Sequence, residues 1–152
     1  MRVISPLYRA LLRFLSGGVG QGLSLFAVRL ALASVFWWSG RSKIEEGTLL
    51  SISDGTYFLF ENEYTGVPLP PAISAVMATA AEHILPIMLV LGLATRLSAL
   101  GLFMMTMVIQ IFVYPEAFWS VHLLWFALAL VLITHGAGRF SLDNIIDWRT
   151  HK

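Results

Sequence analysis

Cysteine is missing from all 152 residues. For this chain alone, that excludes disulfide exchange, thiolate nucleophiles, iron–sulfur ligation and cysteine–zinc sites. Charge is scarce too. Asp, Glu, Lys and Arg make up 12% of the residues, about half of the 25% usual in soluble domains, and the formal net charge is only +1. There is no basic stripe of the kind that marks a nucleic-acid binder. Apolar residues fill the remainder, at 57% of the chain with a mean hydropathy of +0.76. A soluble domain of this length cannot bury so much apolar surface, so the class is membrane protein. Residues 1–13 lack signal-peptide order, because Arg2, Arg9 and Arg13 are interleaved with apolar residues. They are expected to form a short amphipathic helix on the cytoplasmic membrane surface.

A spanning helix needs about 20 mostly apolar residues. Four stretches qualify, at about 19–38, 72–94, 97–114 and 118–135. The expected fold is all-α: one domain over 1–152, a four-helix transmembrane bundle with an extended outer loop between the first two spans. Lys and Arg set the orientation. Arg2, Arg9, Arg13, Arg96, Arg139, Arg149 and Lys152 fall on one side, with only Arg41 and Lys43 on the other. Both termini are then cytoplasmic, and the acidic loop 40–71 is outside. Within that loop, 56–64 is expected to be a short helix against the bundle mouth. Trp37, Trp38 and Trp119 are expected at the outer interface and Trp148 at the inner one.

The few polar residues inside the spans carry the functional expectation. A charge at mid-bilayer costs about 3 kcal/mol on insertion scales, and such residues mark function by default. Glu82 and His83 lie mid-way along the second span. Pro86 cannot donate to the Glu82 carbonyl, so the helix is expected to loosen there. Arg29 lies mid-way along the first span, at a depth that predicts a pair with Glu82. That pair reads either as a ligand-polarising site or as a structural staple. Gln110 and His122 are expected at similar depth near the outer ends of the third and fourth spans. With His83, they make a polar funnel from the outer surface inward. The separate readings are an interhelical hydrogen bond for Gln110, a solvated ring for His122, a satisfied bundle histidine for His83 and a helix-end cation for His135. Met104, Met105 and Met107 fan around a helix, so they read as packing or lipid-facing side chains rather than a copper cluster. The glycines at 17, 18, 20 and 22 lack a phosphate-loop setting and are expected to be a flexible lead-in to the first span.

The run Ala81-Glu82-His83-Ile84-Leu85-Pro86, the turn Leu91-Gly92-Leu93-Ala94-Thr95-Arg96, and Arg29 followed by Gly40-Arg41-Ser42-Lys43 together resemble the DoxX family. The resemblance extends over about 25–142. It implies a four-helix protein of the bacterial inner membrane. The family's best-known members are the membrane subunits of thiosulfate:quinone oxidoreductase, and others belong to oxidative-stress complexes. On this footing the expected function is a redox-pathway subunit that binds a quinone, or a similar small apolar ring, and relays protons. Glu82 and His83 are the expected catalytic proton carriers. Arg29, Gln110 and His122 are expected to hydrogen-bond the ring, and Trp37 and Trp125 to stack on it. Pro86, Lys43 and Arg96 are expected to be structural. No metal or flavin site is expected, so electrons would come from a periplasmic or membrane redox partner, and lipid is the other partner. Two alternatives stay open. One is a scaffold or small transporter that docks a periplasmic protein. The other is a metal-handling accessory using His83, His122 and methionines.

Overall fold

The computed structural model describes residues 5–150, without the side chains of 148–150. Arg2, Trp148, Arg149 and Lys152 therefore lie outside the described side chains, together with the interface role expected of Trp148. The helices are α1 (Pro6–Ser16), α2 (Gly18–Arg41), α3 (Asp54–Asn62), α4 (Pro71–Leu91), α5 (Thr95–Phe112), α6 (Leu123–His135) and α7 (Leu142–Thr150). A 3-10 turn at Pro115–Ala117 and a π turn at Phe118–His122 lead into α6. Among the described residues, α2, α4, α5 and the stretch Pro115–His135 are long and apolar enough to cross a membrane.

Local chemistry sets the boundaries. Pro6 and Pro71 open their helices at positions where a missing N–H costs nothing. Ser53 caps α3 by accepting from the Thr56 amide. Gly92, at φ 67, stops α4 in the left-handed region that suits glycine. Among the long helices, α2 packs on α4, α4 on α5, α5 on α6, and α6 back on α2, while α3 lies against α4. Leu32, Ala33 and Phe36 of α2 meet Leu89, Ala99, Leu102, Ala129 and Leu132 in the buried centre. Large apolar side chains such as Ile84, Ile87 and Leu97 point outward, as expected of a surface that faces lipid.

The bundle has a loop end, formed by 42–70 and 113–122, and a tail end, formed by α1, the α4–α5 turn and the segment from 136. The long helices are staggered along their axes. Gly40, at the loop end of α2, lies beside the middle of α4: a Cβ there would sit 3.1 Å from the Glu82 Cβ. Arg29 lies beside Gly92, at the tail end of α4. Eleven residues of helix separate Gly40 from Arg29, about 16 Å of axis. The expected Arg29–Glu82 pair is therefore not formed. Each residue is central in its own helix, but the two centres are not level. The loop segment 42–70 covers the loop end of α4, and 136–141 covers the tail end of α2, where Phe140 and Arg139 lie against Gly22.

Two further expectations change. The glycine-rich lead-in is helical from Gly18, and at Gly20 the start of α2 runs so close to α1 that a Cβ would come 2.5 Å from the Phe14 carbonyl oxygen. Close approach, not flexibility, is what glycine provides there. Helix α4 continues as α-helix through the buried Pro86. The loosening is thus limited to the one bond that Pro86 cannot donate. In the loop, the short helix expected at 56–64 is α3, and α1 leaves Leu7, Leu11 and Leu15 exposed.

Candidate functional site

Lys43 follows α2 by two residues and turns back toward the bundle centre. Its backbone carbonyl is held at the start of α3, accepting from Thr56 Oγ1 at 2.8 Å and the Ser53 amide at 3.1 Å. Its ammonium donates to Ser39 Oγ at 2.9 Å and lies 2.7 Å from Glu82 Oε2. The two side chains are 12% and 3% exposed, so this is a largely desolvated ion pair. Gly40 is what allows it. Glycine at that position admits α4 close enough for Glu82 to reach across, since any larger residue would also meet the His83 ring at 2.9 Å.

The pair forms the floor of a cavity of about 390 Å³, within the range of about 300–1,000 Å³ usual for small-molecule sites. Glu82 is the lining residue of α4 furthest from the loop end. Met77, Ala78 and Ala81 of α4 and Gly101, Met104, Met105, Val108 and Ile109 of α5 form apolar walls, and Trp125 forms another. Phe60, Tyr64, Val67, Leu69 and Tyr114 line the loop end. Tyr64 and Tyr114 have hydroxyls 3.3 Å apart and rings in edge contact. Burial, and then the Tyr114 hydrogen bond, raise the Tyr64 phenol above its ordinary pKa.

His122 is a further polar group on the cavity, which Ser39 and Ser74 also line. It is 2% exposed and comes from the π turn ahead of α6. Gln110 Nε2 donates to the Pro115 carbonyl at 2.7 Å, which fixes the amide orientation, since neither nitrogen can accept nor carbonyl donate. Gln110 Oε1 then faces His122 Nδ1 at 2.7 Å, so Nδ1 carries the proton. In the neutral ring, Nε2 keeps a lone pair for the cavity. Trp125 lies against the same ring, 5.0 Å between centroids.

The other expected site residues are elsewhere. Arg29 is fully buried at the tail end. Its Nη2 donates to the Phe140 carbonyl at 2.6 Å, its guanidinium stands 5.2 Å from the Phe26 ring, and Nε and Nη1 have no hydrogen-bond partner among the described residues. His83 faces α2 rather than the cavity. Its Nδ1 donates to the Thr79 carbonyl at 2.7 Å, and Trp37 meets it edge-on at 5.4 Å. Trp37 lines a shallow groove with Pro86 between α2 and α4, so it is no wall of the cavity. Arg96 donates to the Ile133 carbonyl at 2.9 Å, tying α5 to α6. Among the described residues, no three His, Asp or Glu side chains gather as metal ligands. Sequence reasoning treated Lys43 as structural and missed its pairing with Glu82. The available signal was the Gly40–Lys43 spacing, which puts a close approach one turn from a cation.

The model of the DoxX family matches residues 24–115. The chain belongs to the DoxX family. A protein of Haemophilus influenzae, described only as uncharacterized, is 32% identical over 137 residues, covering 85% of this chain and 87% of that one. No solved structure matches. DoxX proteins are membrane proteins, and with four apolar helices this DoxX chain is a multi-pass one. The match contains Arg29, Lys43, Glu82 and Gln110 and stops short of His122 and Trp125. The ion pair thus lies within the matched DoxX region, while the histidine wall lies beyond it.

Proposed function

We propose that this DoxX protein is a subunit of a redox pathway in the bacterial inner membrane, binding a quinone or similar small apolar ring in the cavity above Lys43 and Glu82. The observation that carries this reading is the 2.7 Å Lys43–Glu82 pair at the floor of a largely apolar chamber. A charged pair there offers one strong donor and one proton-exchanging carboxylate to a ligand with few polar atoms. Lys43 suits a ring carbonyl oxygen, and the His122 Nε2 lone pair suits a ring hydroxyl. Reduction of a quinone to a quinol takes up two electrons and two protons. The electrons come from a partner protein. The protons pass through Glu82 and His122, the latter taking the part first given to His83. Of the two expected stacking residues, Trp125 keeps that part and Trp37 does not.

The test is extraction of the purified protein and mass spectrometry of what it carries. Wild type is expected to hold quinone, and the double variant Lys43→Met/Glu82→Gln, which strands neither charge, to lose it while still showing a cooperative thermal transition. A well-folded wild type extracted without quinone, and unable to take any up in a reconstituted bilayer, defeats the reading. The ion pair would then be a staple between the α2–α3 connection and α4.

A further inference from the structure

We infer that the cavity opens sideways, through a slot between α4 and α5, and takes a ligand carrying a single hydrocarbon tail on a small ring head. This rests on the reading of the cavity as a ligand site and adds its route and the form of its occupant. Helices α4 and α5 touch at Leu85 and Gly101, where a Cβ on the glycine would come 2.9 Å from Leu85 Cδ1. On the loop side of that contact, the edges of the slot are Ala78 and Ala81 on one helix and Met104 and Val108 on the other. Met77 and Met104 are 57% and 56% exposed, yet both line the cavity. The same side chains therefore border the chamber and the outer surface of the bundle. That surface belongs to two spanning helices, so what lies outside it is hydrocarbon.

The loop end is narrowed, with Leu69 and Tyr114 there 48% and 41% exposed. Gly66 crosses α5 so closely that a Cβ would stand 2.9 Å from the Phe112 carbonyl oxygen, and the Tyr64–Tyr114 contact fills the space beside it. The ammonium and carboxylate are at the inner end, His122 and the buried Ser74 stand toward the loop end, and none of the four residues at the edges of the slot is polar. A wholly polar molecule finds no path of its own kind, and a wholly apolar one leaves the ion pair unanswered. A ring head with a tail satisfies both ends, and flexible methionines at the rim can part around the tail.

Lipid nanodiscs and two fully substituted quinones, tailed decylubiquinone and tailless duroquinone, test this. Binding is read as quenching of Trp125 fluorescence, taken as the difference from Trp125→Phe. Ala78→Phe and Ala81→Phe, which narrow the slot and crowd the cavity wall they form, are expected to raise the Kd of decylubiquinone about tenfold more than that of duroquinone. Equal loss of both, or no change in either, overturns the side opening while leaving the ligand site standing. Failure of wild type to bind either quinone removes the ligand reading itself, and the slot inference with it. A second measurement does not depend on the bulky variants. The chain has no cysteine, so Met104→Cys gives a single thiol at the rim for a maleimide dissolved in the bilayer. Decylubiquinone is expected to slow that labelling and duroquinone not to; equal protection overturns the inference. So does a co-purifying phospholipid that decylubiquinone cannot displace.

Discussion

Lys43 Nζ and Glu82 Oε2 stand 2.7 Å apart, although one belongs to a turn beyond the end of its helix and the other to the middle of a helix. Breaking a buried pair by removing one partner costs about 3–5 kcal/mol, because it strands the remaining charge. Lys43→Ala and Glu82→Ala are each expected to destabilise by that amount, and the double variant by less than their sum. Denaturation of the four proteins in one detergent measures the coupling. Strict additivity would dissolve the pair.

Gly40 is predicted to be intolerant for a reason that can be removed elsewhere. Gly40→Ala puts a methyl 2.9 Å from the His83 ring, an overpacking that costs about 1–3 kcal/mol. His83→Ala in the same chain should recover most of the lost thermal stability. If the second change makes no difference, the α2–α4 approach is not what limits this position.

His122 is predicted to be the Nδ1–H tautomer, because the Pro115 carbonyl orients Gln110 and Gln110 in turn orients the ring. The nitrogen-15 shifts of labelled histidine in the neutral protein should show protonated Nδ1 and bare Nε2. Gln110→Leu should release the preference. A wild-type spectrum with the proton on Nε2 contradicts the bonding pattern.

Orientation remains the expectation set by the charge asymmetry, with 42–70 outside. Glu46 in the loop and Asn144 in α7 are both exposed, and single cysteines there should react oppositely with an impermeant reagent on intact cells. Labelling of Asn144→Cys alone would invert the protein.

The four spans were readable because hydropathy and length are local properties. The expected 19–38 and 72–94 became Gly18–Arg41 and Pro71–Leu91, with proline and glycine fixing the edges. The Gln110–His122 contact was also within reach, since both lie close to one short connection between neighbouring helices. Axial stagger was not. Nothing in the periodicity of α2 or α4 states where one stands relative to the other. Equal depth for Arg29 and Glu82 assumed that both helices ended at the same planes. The offset comes from two covering segments, 42–70 and 136–141, and their tertiary placement leaves no mark in a hydropathy pattern. For the same reason His83 was expected to carry protons and Trp37 to stack on the ring, whereas the two meet each other where α4 packs on α2.

The tail end of the bundle imposes an order on biosynthesis. Arg29 donates to a carbonyl 111 residues further along the chain, at Phe140. The first amides of α5, at Ala94 and Thr95, are capped by the Asp143 carboxylate at 2.7 and 2.9 Å, and the Asp143 amide returns to the Gly92 carbonyl at 2.9 Å. When α2 leaves the ribosome, its arginine has no protein acceptor, and when α5 follows, its leading N–H groups are bare. Water and lipid headgroups must serve both until residues 140–143 are made. The spans can insert one after another, but the bundle locks only when that short segment arrives.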